Sequence, residues 1–186
     1  FAAILASCSA SLIHGFACIT HKGDQVISGL AINILASGLT ITLGIALFSR
    51  GGQTPPLASE QRFMPIEFPF LDQASHVPVL GDLFVEVISG HNMLVYLSVF
   101  AVFFTYYVIF KTRFGLRLRA VGEKPEAVDT AGISVIKMRY QSILIAGMLC
   151  GLAGAYLSIA HGAGFGREMS AGKGYIALAA MIFGKW

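Results

Sequence analysis

Charged residues are scarce in this chain, and acidic residues are missing from its long apolar runs. Asp, Glu, Lys and Arg make up 12% of the 186 residues, whereas apolar residues make up 55%. Every Asp and Glu lies between the apolar runs or at their borders. Carriers driven by protons or sodium usually need an ionisable residue at membrane depth that binds and releases the ion. The lack of such a residue argues against a secondary transporter. A secondary transporter or channel for a small neutral solute therefore stays only as an alternative function for this chain.

Cysteine and histidine give no sign of a reactive centre. The three cysteines, Cys8, Cys18 and Cys150, are odd in number, lie in apolar surroundings and form no C-x-x-C, so we interpret them as small buried hydrophobic residues. The five histidines have no metal-ligand spacing. We therefore expect no metal, no cofactor and no nucleic-acid partner, and we expect the chain not to be an enzyme.

Long apolar runs dominate the sequence. Four of them have close to the 20 residues that cross the hydrocarbon core of a membrane: residues 1–20, 26–48, 92–110 and 140–160. A fifth run, 175–183, would rise only about 14 Å as a helix. The pattern predicts an all-α polytopic transmembrane bundle with about four full spans and a partial or re-entrant fifth. We expect one transmembrane domain over residues 1–186, truncated at both ends.

The polar residues inside the runs are neutral. Asn33, Ser37 and Thr40 lie in the second run, and Asn92 opens the third. Amide and hydroxyl groups suit an uncharged, hydroxyl-rich solute, but they equally suit hydrogen bonds between helices. These four are the candidate residues of a translocation pathway, and Asn33 is the foremost because an unpaired amide in the middle of an apolar span is costly.

The two long connections carry opposite charge. Segment 49–90 has two basic residues against five acidic ones, whereas segment 111–139 has seven basic residues against three acidic ones. Positive charge beside apolar spans marks the cytoplasmic side. The sequence therefore predicts that 49–90 is an extracytoplasmic loop and that 111–139 is a cytosolic loop.

The cytosolic loop contains the signals of a short helix. Pro125 stands where a first helical residue is favoured, and Gly132 stands where a helix terminator is favoured. They predict a helix of about two turns, roughly 10 Å long, over 125–131. A helix of this length is too short to span a membrane, but it suits the coupling helix by which a membrane subunit docks on an ATPase.

Three motifs together resemble a known family. They are GLAINILASGLT at 29–40, GLRLRAVGEKPEAVDTAGI at 115–133 and EMSAGKGYIALAAMIFGKW at 168–186. In this order they resemble the inner-membrane permease subunit of bacterial ABC importers of the ribose and simple-sugar type. The chain is most similar to the second of two permeases in nucleoside-type uptake systems.

The resemblance implies the residues that couple to ATP hydrolysis. Glu126, Ala127 and Gly132 match the E-A-A-x-x-x-G pattern of importer coupling helices, with Val128 in place of the second Ala. The coupling residues implied in this way are Gly122, Glu123, Pro125, Glu126, Ala127 and Gly132.

The resemblance also implies a function and a set of partners. We expect a permease subunit for nucleosides or simple sugars in the bacterial plasma (inner) membrane, surrounded by lipid. Its expected partners are cytosolic ABC ATPase subunits, a second permease subunit and an extracytoplasmic substrate-binding protein. ATP hydrolysis is expected in the ATPase partner.

Overall fold

The computed structural model describes residues 1–58, 62, 65–66, 90–162 and 164–184, so most of the predicted 49–90 loop lies outside the described residues. Two short strands, β1 (Pro65–Ile66) and β2 (His91–Asn92), pair antiparallel. Most of the other described residues are helical, which confirms the predicted all-α class. The helices are α1 (Ala2–Gly15), α2 (Gln25–Phe48), α3 (Met93–Lys111), α4 (Arg113–Glu123), α5 (Pro125–Thr130), α6 (Val135–Ala155) and α7 (Lys173–Phe183).

Four helices of the described residues are long and apolar enough to cross a membrane. Helices α1 and α6 each continue into a π-helical turn, Phe16–Thr20 and Tyr156–His161. With those turns, the four spans have mean hydropathies between 1.8 and 2.1. Helix α7, with 11 residues, rises only about 16 Å. Within the described ranges, the structure therefore has the four full spans and the shorter fifth apolar helix that the sequence predicts.

The spans expose their apolar side chains. Ile34 is 73% exposed and Phe103 is 70% exposed. Many other large apolar side chains of the spans are also exposed. Soluble proteins rarely leave continuous apolar surfaces of this extent in water. The exposed surface is that of helices that lie in lipid or against other membrane helices.

The closest helix pair is α1 with α6, which run antiparallel. Gly147 lies against Ser11 and Cys8, and Gly151 lies against Ile4. At one end of the pair, the hydroxyl groups of Thr20 and Tyr140 lie 2.6 Å apart. Gly147 and Gly151, four residues apart, therefore form the packing face of α6, because only small residues let two backbones approach this closely.

A sharp turn separates α3 from α4. The hydroxyl of Thr112 donates to the carbonyl of Val108 at 2.6 Å and accepts the N–H of Gly115 at 3.2 Å. It therefore ends one helix and caps the next. A Cβ atom at Gly115 would collide with the carbonyls of Val108 and Ile109, so the turn requires glycine.

Helix α4 differs from the sequence interpretation, in which its residues belonged to a polar loop. Phe114, Leu118 and Val121 recur at spacings of four and three residues and form one apolar face. The same 11 residues include three arginines, so a count of charged residues describes the segment as polar and does not detect the apolar periodicity. The structure thus makes the 111–139 segment largely helical, and α6 already begins at Val135, where the side chain of Ser134 accepts the N–H of Lys137 at 3.4 Å.

The apolar face of α4 belongs to a small core at one end of the bundle. Val121 of α4, Val128 of α5 and Met138 of α6 are the only buried hydrophobic side chains among the described residues. Ile133, in the link between α5 and α6, packs against them. The core ties the three helices together and fixes α5 on the end of α6.

Contacts at both ends of the helices define two sides of the molecule. The Thr20–Tyr140 contact joins the end of the first span to the start of the last span, on the side of segment 111–134. On the other side, the N–H of Thr54 donates to the carbonyl of Phe165 at 3.0 Å. Segments 111–134 and 49–58 therefore lie at opposite ends of the bundle. We call the end with segment 111–134 the basic end.

Candidate functional site

A polar cleft lies between α2, α6 and the segment that follows α6, away from the basic end. Its volume is about 250 Å³. We call it the polar cleft. Its lining residues are Asn33, Ala36, Ser37, Thr40, Gly154, Leu157, Phe165, Gly166, Arg167, Glu168, Met169 and Ser170. Three of the four predicted pathway residues are in this set.

The α2 wall of the polar cleft carries the neutral polar groups. Asn33, Ser37 and Thr40 lie four and three residues apart, so one face of the helix presents all three. The hydroxyl of Thr40 donates to the carbonyl of Ala36 at 2.6 Å. The amide of Asn33, by contrast, makes no hydrogen bond with any residue in the described ranges, and the side chain is exposed to the cleft. Both its donor and its acceptor are available to a solute.

The opposite wall is a short segment that backbone pairing holds in place. The N–H of Phe165 donates to the hydroxyl of Thr54 at 2.9 Å, and the N–H of Thr54 donates to the carbonyl of Phe165 at 3.0 Å. Gln53 and Gly166 form a further antiparallel bridge. The chain just after α2 therefore positions the chain just after α6 across the cleft.

This wall also supplies the charged groups of the cleft. Arg167 and Glu168 form the single ion pair of the described residues, with 3.5 Å between Nη2 and Oε1. Both side chains are more than half exposed, so the pair itself stabilises the fold very little. Glu168 and Ala171 have left-handed backbone angles, with φ of 57° and 41°. No local sequence pattern marks Arg167 and Glu168 as site residues, because only the tertiary contact with residues 53–54 brings them to Asn33.

Asn92 lies apart from the other three predicted pathway residues. It precedes α3, and its backbone pairs with Pro65 in the two-stranded sheet. Its Nδ2 donates to the carbonyl of Ala160 at 3.4 Å, while its Oδ1 is buried without a partner among the described residues. Asn92 therefore bridges the start of α3 to the end of the last span and does not line the polar cleft.

The second candidate site is the predicted coupling segment at the basic end, 122–132. Gly122, Glu123, Glu126, Ala127 and Gly132 are exposed, and Pro125 is half-buried. Between them, Val128 is buried in the small core. The core side of α5 thus anchors it, while the predicted coupling residues face outward.

The end of α5 has the geometry that the sequence predicted. Gly132 has a φ of 78°, in the left-handed region. Its N–H donates to the carbonyl of Asp129 at 2.9 Å, and the N–H of Ile133 donates to the carbonyl of Val128 at 3.2 Å. Ile133 also packs on the core that contains Val128. This pair of bonds with its apolar contact is a Schellman motif, which stops the helix and turns the chain into α6.

Comparison with known proteins identifies the family. A family model described as the permease component of the branched-chain amino acid transport system matches residues 1–186. The chain belongs to this family. Membership together with four membrane-crossing helices makes it a multi-pass protein of the plasma membrane.

Individual relatives are named as ABC transporter permeases. The chain is 39% identical over 185 residues to the guanosine ABC transporter permease protein NupQ of Bacillus subtilis. It is 37% identical over 186 residues to the nucleoside ABC transporter permease protein NupC of Lactococcus lactis. It is 34% identical over 175 residues to the putative glucose ABC transporter permease protein TsgC13 of Haloferax volcanii. These names confirm the resemblance to permease subunits of ABC transporters.

These matches cover all or nearly all of the chain, at 100%, 100% and 94%. They cover 55%, 55% and 50% of the relatives, so the chain spans about half the length of the curated relatives that it matches. No solved structure gives a significant match to the chain.

Proposed function

We propose that the protein is the permease subunit of an ATP-driven importer for nucleosides or simple sugars. The observation that carries the proposal is the position of the coupling segment, which faces outward and is anchored on the small core. The chain is also similar to permeases named for guanosine, nucleosides and glucose. A short helix with defined start and end that exposes small residues suits a partner that closes over it.

The proposed partners follow from the two ends of the bundle. Cytosolic ABC ATPase subunits bind the coupling segment, and ATP hydrolysis takes place in those subunits. An extracytoplasmic substrate-binding protein delivers the solute at the opposite end, and a second permease subunit completes the pathway. The excess of basic residues in 111–139 supports the cytosolic placement of the coupling segment.

The small core gives the coupling segment a mechanical link to the spans. Val121, Val128 and Met138 connect α4 and α5 to the first turns of α6. Helix α6 in turn packs closely on α1 through Gly147 and Gly151. A displacement of α5 by the ATPase subunits therefore moves α6 and α1 as a unit, which is the rigid-body kind of switch that alternating access requires.

The polar cleft is the proposed part of the translocation pathway in this chain. The available amide of Asn33, the hydroxyl groups of Ser37 and Thr40 and the exposed ring of Phe165 surround one space. Hydroxyl groups of a sugar or ribose bind to amides and hydroxyls, and a nucleobase stacks on an aromatic ring.

Ala127→Trp in the full-length permease tests the coupling proposal. Bulk at this exposed position should prevent ATPase docking and leave the spans folded, because Ala127 lies outside the small core. The measurement is co-purification of the ATPase subunits together with substrate-stimulated ATP hydrolysis. Leu116→Trp adds bulk at an exposed position of α4 outside the coupling segment, where Leu116 is 61% exposed, and serves as the control.

We expect Ala127→Trp to lose both readouts and Leu116→Trp to retain them. Retention of the partner and of stimulated hydrolysis by Ala127→Trp would remove the coupling role. Uptake that continues without any ATPase subunit would instead favour a secondary transporter or channel.

Asn33→Leu tests the pathway proposal. Loss of one hydrogen bond of about 1 kcal/mol should lower uptake of radiolabelled guanosine about 2- to 10-fold, with the subunit still inserted and bound to its ATPase. Thr42→Val is the matched control, because the Thr42 hydroxyl is on the same helix, donates to the carbonyl of Gly38 at 2.7 Å and lies outside the cleft. Equal uptake by Asn33→Leu and Thr42→Val would exclude Asn33 from the pathway.

A further inference from the structure

A second polar cavity lies at the basic end, beside the coupling segment. Its volume is about 450 Å³. We call it the basic cleft. Arg117 of α4 and Lys137 of α6 both line it, together with the link of Gly132, Ile133 and Ser134. Met138 and Gln141 of α6 complete the lining.

The two cationic side chains of the basic cleft have no counter-ion among the residues that the structure describes. Neither Arg117 nor Lys137 forms an ion pair with any residue of the described ranges. The three acidic residues of segment 111–139 do not line the cavity; they are Glu123, Glu126 and Asp129. Two cations that share a cavity without a carboxylate repel each other and favour an anion between them. Guanidinium and ammonium groups bind phosphate oxygens through charge-assisted hydrogen bonds.

The position of the basic cleft at the end of a membrane span indicates what kind of anion it would bind. Lys137 and Gln141 are on the first turns of α6, which then continues as an apolar span. The chain neighbours of the two cations are apolar and exposed: Leu116 is 61% exposed and Ile136 is 60% exposed. A cavity lined by two exposed cations, with apolar side chains beside it at the end of a membrane span, fits a ligand with a phosphate headgroup and acyl chains.

We propose that the basic cleft binds the phosphate headgroup of an anionic phospholipid. Arg117 and Lys137 contact the phosphate oxygens, and Gln141 donates from its amide. Because Gly132 and Ile133 also end the coupling helix, the bound headgroup contacts the link that holds α5 in place. The proposal depends neither on the transported solute nor on the side of the membrane that the basic end faces.

Native mass spectrometry of the purified full-length permease tests the proposal. The protein is titrated with phosphatidylglycerol, and separately with neutral phosphatidylcholine of the same acyl chains. The test variant is Arg117→Gln with Lys137→Gln. The matched control is Arg113→Gln with Arg139→Gln, which removes the same charge from exposed positions of the same segment that do not line the cavity.

We expect the wild type and the control to bind phosphatidylglycerol with the same affinity. The affinity of the test variant should be at least about 10-fold lower, the factor that corresponds to one charge-assisted hydrogen bond. Phosphatidylcholine binding should be the same in all three proteins. Arg117→Lys with Lys137→Arg keeps both charges and should retain the adduct, which distinguishes loss of the site from loss of folding.

Three results would overturn the proposal. Equal loss of phosphatidylglycerol in the test and control variants would mean that total charge, not this cavity, holds the lipid. Unchanged binding in the test variant would mean that the lipid binds elsewhere. Displacement of phosphatidylglycerol from the wild type by millimolar inorganic phosphate would mean that the cavity is a site for a soluble anion.

Discussion

Gly151 of α6 is the position where a single methyl group should disturb the fold most clearly. A Cβ atom built there would lie 2.7 Å from the Cα of Ile4 and 3.0 Å from the carbonyl oxygen of Ala3. Both are backbone atoms of α1, so no side chain can rotate away. Carbon atoms prefer a separation of 3.5–4.0 Å, so α1 has to move by about 1 Å for Gly151→Ala to fit.

The matched control is three residues away on the same helix. At Gly154 an added Cβ would meet nothing within 4 Å. Both substitutions gain about 1 kcal/mol of helix propensity, and this gain cancels in the comparison. Only Gly151→Ala also overpacks a helix interface, which typically costs about 1–3 kcal/mol. The difference between the two variants should therefore be about 1–3 kcal/mol, with Gly151→Ala the less stable.

The free energy of unfolding of the full-length permease, measured in mixed detergent micelles by circular dichroism, provides the comparison. Gly154→Ala should unfold at the same or a higher denaturing detergent fraction than the wild type, and Gly151→Ala at a lower one. If the two variants agree within about 0.5 kcal/mol, α1 and α6 do not pack at Gly151 in the membrane protein, and the close pair described above is refuted.

Two further predictions concern the basic end. Gly132→Val should destabilise the end of α5 by about 1–2 kcal/mol and lower ATPase co-purification, because the φ of 78° at Gly132 disfavours a β-branched residue. Gly132→Asn should be tolerated better. Equal stability and equal co-purification of the two variants would show that the left-handed angle is unimportant. In intact cells of a cysteine-free strain, an impermeant maleimide should label Ala58→Cys and spare Thr130→Cys, and the reverse pattern would place segment 111–139 outside.

Local signals explain most of what could be predicted of the fold. The number of spans follows from the apolar runs, because hydrocarbon thickness sets helix length. Gly132 was expected to terminate α5, and its left-handed angle follows from the lack of a Cβ atom. Helix α4 was missed because its apolar face of Phe114, Leu118 and Val121 is interleaved with arginines, and a count of charge does not detect periodicity.

The sequence by itself determined which residues are polar within the spans, which segment is basic and where the short helix α5 begins and ends. These properties depend on composition and on contacts a few residues apart. Only the tertiary structure decided that Asn33, Ser37 and Thr40 share a cleft with Arg167 and Glu168 while Asn92 lies elsewhere. That arrangement depends on the pairing of Thr54 with Phe165, 111 residues apart in the chain, and no local pattern encodes a contact between backbones so distant in sequence.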